Sequence, residues 1–177
     1  MRIAFVNPPY SISERYHTKA KINKGYLPPL GIASIATVLQ EAGHIIKVLD
    51  LQVQESSIPQ VTQDLKHFSP DLIAVSAITP TIDKAYYLAR SIKSSLDIPI
   101  IFGGLHPTMY PEKTLQDCEA VDAVVFGEGE YTFRDLAETL EKDKTLKGIP
   151  GVCYRDKKGA LVKNKPRKII LNLNELP

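Results

Sequence analysis

The 177-residue chain is predicted to fold as an α/β protein with a doubly wound, five-stranded parallel sheet and a C-terminal β-hairpin extension. Short apolar runs alternate along the chain with segments of helical periodicity, which favours a parallel sheet covered by helices on both faces. Most of these runs are continuously hydrophobic, as is typical of strands buried on both sides. A hydrophobic content of 44% is sufficient for one domain with a core.

Five apolar runs supply the predicted strands. The fourth run contains Pro99 near its start. Proline is tolerated there because the first position of a strand need not donate a hydrogen bond to its neighbour. The runs cover residues 3–6, 45–49, 72–75, 98–102 and 123–126.

Four segments between or after the strands have the spacing of amphipathic helices. A Pro-Pro pair precedes the first segment, and Gly43 is its expected stop. Thr81 or Asp83 is available to cap the third segment. Residues 111–117 are a candidate for one or two further turns. The predicted helices cover residues 32–39, 58–68, 85–96 and 133–140.

The sequence pattern changes after residue 150. Two short apolar stretches flank Asp156-Lys157-Lys158-Gly159, a turn sequence typical of a β-hairpin. We therefore divide the chain into an α/β domain of residues 1–150 and a hairpin with a linker of residues 151–177. The tail has no closing element, which predicts that the linker leads toward a further domain.

Composition and charge exclude several functional classes. A net charge of +2 provides no strong basic field, so neither nucleic acid nor a membrane surface is an expected partner. No apolar run approaches the roughly 18 residues of a membrane span, and the N-terminal apolar stretch is too short for a signal peptide. Cys118 and Cys153 cannot form a disulfide framework or a multi-thiolate cluster alone. The expected location is the cytoplasm.

Glycine, proline and small hydroxyl residues concentrate in the loops that follow the predicted strands. Because the carboxyl ends of parallel strands meet at one edge, these loops are expected to form a ligand site there. The alternative is that turns require such residues for structural reasons alone. Neither of the usual glycine-rich phosphate motifs is present, so a large, mostly neutral ligand is favoured over a nucleotide. The loops cover residues 7–10, 50–52, 76–80, 103–108 and 127–130.

The segment of residues 7–27 is too long for a simple connection between a strand and a helix. It contains three tyrosines, Tyr10, Tyr16 and Tyr26, together with several lysines and an arginine. Two interpretations are equally supported by its length: a functional segment that covers a ligand or meets another domain, and a solvated basic loop.

At these loops the sequence resembles the cobalamin-binding, N-terminal domain of cobalamin-dependent radical S-adenosylmethionine enzymes. The resemblance runs in order over almost the whole chain, although no single phrase is specific alone. The matching phrases are Asn7-Pro8-Pro9, Tyr26-Leu27-Pro28-Pro29-Leu30-Gly31-Ile32-Ala33, Gly43-His44, Asp50, Pro70-Asp71-Leu72-Ile73-Ala74-Val75-Ser76, Gly103-Gly104-Leu105-His106-Pro107-Thr108 and Val125-Phe126-Gly127-Glu128-Gly129-Glu130.

The resemblance implies a flavodoxin-like (Rossmann-like) sheet with the corrin ring at the strand ends and the nucleotide tail of cobalamin beside the sheet. Bulky side chains at Gly103 or Gly104 are expected to block the corrin and to leave the fold largely intact. No residue is assigned as a metal ligand. The residues assigned to cofactor binding are Asn7, Pro8, Pro9, Leu30, Gly31, Asp50, Gln52, Ser76, Ile78, Thr79, Gly103, Gly104, His106, Pro107, Thr108, Gly127, Glu128, Gly129 and Glu130.

One departure from better-known cobalamin domains concerns the lower ligand of cobalt. Those domains carry an Asp-x-His-x-x-Gly loop, whereas residues 50–55 read Asp-Leu-Gln-Val-Gln-Glu. The resemblance therefore implies base-off binding without a histidine ligand. His106 either approaches the corrin or satisfies backbone groups, and the second interpretation is preferred. For Glu128 and Glu130 a structural role is preferred over a hydrogen bond to the ligand.

The implied function is cofactor binding within a radical S-adenosylmethionine methyltransferase. The chain has no Cys-x-x-x-Cys-x-x-Cys loop, so S-adenosylmethionine and the [4Fe–4S] cluster are expected only in a radical domain outside these residues. One alternative is a structural or docking domain of the same fold that has lost cobalamin binding. Another is a signalling domain phosphorylated at Asp50, which is ranked lower because no lysine ends a second strand.

Overall fold

The predicted parallel sheet is present and includes two further strands. A computed structural model describes residues 1–11, 14, 27–54, 56–142 and 145–177, and in these residues the sheet has seven strands. The strands are β1 Arg2–Asn7, β2 Ile45–Asp50, β3 Leu72–Ser76, β4 Ile100–Gly103, β5 Ala123–Val125, β6 Val152–Arg155 and β7 Leu161–Lys163. Their order across the sheet is β2-β1-β3-β4-β5-β6-β7, and the first five strands are parallel.

Helices cover both faces of the sheet, as the alternating pattern predicts. The helices are α1 Leu30–Glu41, α2 Ile58–Phe68, α3 Ile82–Lys93, α4 Leu105–Met109, α5 Pro111–Asp117 and α6 Glu130–Glu141. On one face α1 and α6 pack on a core that includes Phe5 and Phe133, and on the other face α2, α3 and α5 pack on a core that includes Phe102. The strand order reverses between β1 and β3, which is where doubly wound sheets open a crevice.

Element boundaries differ from the prediction where local chemistry intervenes. Strand β4 begins at Ile100 because Pro99 has no N–H to donate. Thr81 does precede α3, but its hydroxyl bonds the backbone of Ile78 and does not cap the helix. The short helix α4 was not expected, because His-Pro-Thr has weak helix propensity.

The predicted hairpin joins the main sheet. Strand β6, Val152–Arg155, pairs antiparallel with β5, and β7, Leu161–Lys163, pairs with β6. The Asp156 carboxylate accepts bonds from two turn amides, and Gly159 adopts a φ of +82° that an L side chain rarely adopts. Because Val152 and Cys153 are fully buried, the hairpin contributes to the core of the same folded unit. The domain boundary at residue 150 remains a prediction.

Both cysteines are buried as free thiols. Burial raises the pKa of the Cys153 thiol to about 11, so this group stays protonated near neutral pH. Among the helices of the described residues, none combines the length and apolar character needed to cross a bilayer.

His44 is a buried imidazole at the start of β2. Its Nδ1 lies 3.1 Å from the ammonium nitrogen of Met1 and 3.7 Å from a carboxylate oxygen of Glu141, whereas its Nε2 is buried without a hydrogen-bond partner. Burial lowers the pKa of His44, and the Met1 ammonium lowers it further. The carboxylates of Glu141 and Glu138 oppose this shift without cancelling it.

This arrangement predicts a loss of stability in mild acid. The folded-state pKa of His44 lies below the ordinary value of 6.5, so below that pH the unfolded chain binds the proton more readily than the folded chain. The free energy of unfolding should therefore fall as the pH drops below 6.5. Urea unfolding at a series of pH values should show a shallower pH dependence in His44→Leu than in the wild type. The exposed His67→Gln is the control, and equal slopes for all three proteins would contradict the prediction.

Candidate functional site

A cavity of about 370 Å³ opens at the carboxyl edge of the sheet, on the face covered by α1 and α6. It is bounded below by the ends of β1, β3, β4 and β5 and at the side by the first turns of the two helices. The lining residues are Phe5, Pro29, Leu30, Gly31, Ile32, Ile35, Ala74, Val75, Ser76, Gly103, Gly104, Val125, Gly127, Glu128, Gly129, Glu130 and Phe133.

The cavity exists because small residues occupy the strand positions that face α1 and α6. Side chains alternate along a strand, so Ala74 and Ser76 of β3 point to the same face. Gly103 of β4 pairs in register with Ser76 and lies on this face too. The rings of Phe5 and Phe133, with centroids 5.6 Å apart, form an aromatic wall of the space that these three residues leave open.

Gly103 and Gly104 differ in the space that each would offer to a side chain. A Cβ atom at Gly103 would meet Phe133 at 3.7 Å, an ordinary contact. At Gly104 the φ angle is +98°, and a Cβ atom would lie 2.7 Å from the carbonyl oxygen of Ala77. The expectation that both positions accept bulky side chains without harm to the fold is therefore wrong for Gly104.

A polar cluster lies at the ends of β1 and β2. The Asn7 side-chain nitrogen donates to Asp50 Oδ1 at 2.9 Å, and the backbone N–H of Gln52 donates to the same oxygen at 3.1 Å. The Gln52 amide also donates to Asn7 Oδ1 at 3.4 Å. Asp50 borders a second, shallow hollow of about 330 Å³ together with residues 27–29, 53 and 54. The cluster thus fixes amide and carboxylate groups at the carboxyl ends of β1 and β2, on the same edge of the sheet as the cavity.

The loops after β3 and β4 are joined by hydrogen bonds. His106 Nδ1 lies 3.1 Å from the Thr79 hydroxyl, and the His106 ring packs against the Tyr110 ring with centroids 5.4 Å apart. The Thr108 hydroxyl accepts a bond from the Gly127 N–H at 3.1 Å. His106 therefore has protein partners within its own loop cluster.

The two carboxylates of the loop after β5 also have protein partners. Glu130 accepts a hydrogen bond from the Ser34 hydroxyl at 3.0 Å, which links α6 to α1. Glu128 accepts a hydrogen bond from the backbone N–H of Ile170 at 2.6 Å. Both contacts hold the loop in place at the cavity wall.

The structure separates the residues that were assigned to cofactor binding into two groups. Those that line the cavity are Leu30, Gly31, Ser76, Gly103, Gly104, Gly127, Glu128, Gly129 and Glu130. Those outside the lining, in strand ends, loops and the short helix α4, are Asn7, Pro8, Pro9, Asp50, Gln52, Ile78, Thr79, His106, Pro107 and Thr108.

The apolar wall of the cavity is not evident from the sequence. Phe5, Ile35 and Phe133 have the pattern of ordinary core residues, because a wall and a core have the same hydrophobic pattern. The sequence does indicate that Ala74 borders an open space. It is a small residue between larger ones in a strand, and it lies two positions before Ser76 and therefore on the same face.

Most of the segment of residues 7–27 lies outside the described residues, and both interpretations of it stay predictions. Its described residue Glu14 accepts bonds from the Ser11 N–H and hydroxyl and pairs with Lys84 of α3 at 2.5 Å. The hydrogen bond from the Lys84 ammonium lowers the pKa of Glu14 to about 2. Lys84 also donates to the carbonyl of Pro9, which links this segment to α3.

The chain is similar to a known protein family and to several known proteins. Residues 23–137 match the model of the B12 binding domain. An uncharacterized methyltransferase of Pyrococcus horikoshii is 36% identical over 151 residues, which are 85% of this chain and 32% of that protein. The hopanoid C-3 methylase of Methylococcus capsulatus is 33% identical over 129 residues, 71% of this chain and 25% of that protein.

Solved structures confirm the predicted fold. The cobalamin-dependent S-adenosylmethionine radical enzyme OxsB, with aqua-cobalamin and S-adenosylmethionine bound, superposes with a TM-score of 0.77 at 24% identity over 95% of this chain and 22% of its own. The radical S-adenosylmethionine methyltransferase TsrM from Kitasatospora setae, with cobalamin and a [4Fe-4S] cluster bound, gives 0.76 at 19% identity over 99% of this chain and 30% of its own. The family match confirms the resemblance to cobalamin-binding domains, and the chain belongs to the B12 binding domain family.

Proposed function

We propose that the chain binds cobalamin with its nucleotide base inside the cavity and its corrin ring across the loops at the strand ends. The observation that carries this proposal is the cavity of about 370 Å³ with a mostly apolar lining. Pockets for small ligands begin at about this size. A bicyclic aromatic base fits such a space beside Phe5 and Phe133, whereas a whole corrin is too large for it and has to lie at the entrance.

The polar groups of the site are placed to match the remaining parts of the cofactor. Ser76 provides a hydroxyl in the otherwise apolar lower part of the cavity, where a nitrogen of the base needs a hydrogen-bond partner. Asn7 and Gln52 hold amides at the ends of β1 and β2, along the edge of the sheet where the amide side chains of a corrin would lie. When bound, cobalamin supplies a cobalt centre that carries a methyl group.

The proposed position of the nucleotide base inside the cavity also implies base-off binding without a histidine ligand. A base held in the cavity is no longer available to cobalt. The loop after β2 contains no histidine, and His106 has Thr79 and Tyr110 as partners. We therefore assign the lower position of cobalt to water or to no ligand.

The chain spans about a third or less of the length of its similar proteins, so we propose that it serves as the cofactor module of a longer enzyme. The parent enzyme would be a cytoplasmic radical S-adenosylmethionine methyltransferase, with its S-adenosylmethionine and [4Fe–4S] cluster in a separate domain. In this scheme residues 1–150 hold the cofactor and the later segment leads to that domain.

The test is binding of hydroxocobalamin. The protein is incubated with hydroxocobalamin, passed over gel filtration and measured by ultraviolet–visible absorbance. Corrin absorbance is expected to co-elute with the protein. After reduction to cob(II)alamin, the electron paramagnetic resonance spectrum should lack the superhyperfine splitting that a nitrogen ligand causes. Absence of co-eluting corrin would favour a docking role instead, and nitrogen splitting would contradict the base-off assignment.

A further inference from the structure

The segment after β7 is bound to the first turns of α6. We define residues 164–170 as the strap. It begins with the Asn164 side chain, which donates to the Leu146 carbonyl at 2.8 Å, and the Lys165 carbonyl accepts from the Gly151 N–H at 2.8 Å. The strap is therefore fixed at its start by the connection that precedes β6.

Arg167 is the main side-chain contact of the strap. Its Nε donates to the hydroxyl of Thr132 at 2.8 Å, and its second guanidinium nitrogen pairs with the Asp135 carboxylate. The Arg167 side chain is only 17% exposed, and Thr132 is fully buried. A partly desolvated arginine with two fixed partners holds its geometry better than an exposed surface pair.

The contacts continue from Arg167 to the cavity wall. The Thr132 hydroxyl, which accepts from Arg167, donates in turn to the main-chain carbonyl of Glu128 at 3.0 Å. Three residues after Arg167, the Ile170 N–H donates to the Glu128 carboxylate at 2.6 Å. The strap thus acts on Glu128 twice, through its main chain and through its side chain.

Glu128 depends on these contacts because of its neighbours. It lies between Gly127, whose φ is +78°, and Gly129, which have no side chain to restrict the backbone, so the loop relies on hydrogen bonds such as those to Thr108 and to the strap. Glu128, Gly127 and Gly129 all line the cavity. A change in the strap is therefore expected to alter the position of the loop of residues 127–129, and with it the shape of the cavity.

We infer that Arg167 is a positioning residue of the cofactor site, acting through Thr132 on the loop that contains Glu128. The inference rests on the proposed cobalamin function. Arg167 lies outside residues 23–137, the part of the chain that matches the family model. Since coupling between two parts of a protein is reciprocal, cofactor in the cavity should also stabilise the strap.

The test compares Arg167→Ala with Arg155→Ala. Arg155 is the matched control, since its guanidinium donates to the Leu115 carbonyl and not to α6. Removal of Arg167 is expected to raise the Kd for hydroxocobalamin about tenfold, the equivalent of one charge-assisted hydrogen bond. Arg155→Ala should leave the Kd within about twofold, the range of an uninvolved surface position.

A second pair of variants distinguishes positioning from general stability. Thr132→Val removes the hydroxyl that connects Arg167 to Glu128, and Thr132→Ser retains it. Thr132→Val should reproduce the loss of affinity and Thr132→Ser should restore the wild-type value, even if both lower the unfolding temperature. Equal Kd values for Arg167→Ala and Arg155→Ala would overturn the inference.

Hydrogen exchange of the cofactor-free protein tests the same contact without cobalamin. Backbone amides of residues 127–130 should exchange faster in Arg167→Ala than in Arg155→Ala and the wild type. Unchanged exchange would overturn the inference by itself. If the wild type fails to bind hydroxocobalamin but the exchange difference is present, the proposed cofactor is wrong and the positioning of the loop by Arg167 stands.

Discussion

Gly103→Val is expected to abolish tight cobalamin binding and to leave the protein folded. The new side chain would project from β4 into the cavity, where its Cβ has only an ordinary contact with Phe133 at 3.7 Å. Valine suits a strand, and filling an open space causes little strain, so the free energy of unfolding should change by less than about 1.5 kcal/mol. The Kd for hydroxocobalamin should rise at least about 100-fold, a loss of about 2.7 kcal/mol.

Cobinamide, which has a corrin ring but no nucleotide tail, is the matched ligand control. If the base occupies the cavity, Gly103→Val should weaken cobalamin much more than cobinamide. Both affinities follow from absorbance titrations of the wild type and the variant, with circular dichroism as the check on folding. An equal loss for the two ligands would place the corrin rather than the base next to Gly103. Unchanged cobalamin affinity in a folded variant would exclude the cavity as a binding site.

Gly104→Ala, at the next position, is expected to damage the fold instead. A side chain there has to adopt a φ of +98°, and its Cβ would lie 2.7 Å from the Ala77 carbonyl oxygen. That oxygen already accepts a hydrogen bond from the His106 N–H, so the loop cannot move away without breaking a contact. Conformational strain together with the clash should lower the free energy of unfolding by about 2–4 kcal/mol.

Gly159→Ala is the control for the conformational part of that cost. Gly159 has a φ of +82° in the hairpin turn, but a Cβ there would have no atom within 4 Å. Its replacement should therefore cost only about 1–2 kcal/mol, the penalty of the left-handed region. Urea unfolding of the wild type, Gly104→Ala and Gly159→Ala measures the loss of stability that each substitution causes. If both substitutions cost the same, the close approach of Gly104 to Ala77 contributes nothing.

Local patterns were sufficient to predict most elements of the fold. Continuous apolar runs identified all five parallel strands. In β1, β3, β4 and β5 these runs reflect burial on both faces of the sheet. The edge strand β2 is apolar as well, although Ile45 and Val48 are exposed. Helix periodicity identified α1, α2, α3 and α6, and the turn sequence around Gly159 identified the hairpin. The ends of elements were less accurate, since they depend on single contacts such as the bond between Thr81 and Ile78.

The site could be predicted only in part. Loops at strand ends converge in any parallel sheet, so Ser76, Gly103 and Glu128 could be assigned to one edge from their positions alone. The depth of the cavity could not, because it depends on Phe5, Ala74 and Phe133 meeting from three separate elements. Nothing in the local sequence indicated that Gly104, unlike Gly103, faces a carbonyl oxygen.

By itself, the sequence determined the alternation of strands and helices, the edge at which the loops gather and the family resemblance, all of which depend on neighbouring residues. The tertiary structure decided the strand order, the pairing of β6 with β5 and the contact from Arg167 through Thr132 to Glu128. The physical reason is the separation along the chain over which each effect acts. Periodicity and turn chemistry act over a few residues, whereas a cavity and its supports arise where side chains distant in the chain are brought onto the same face of the sheet.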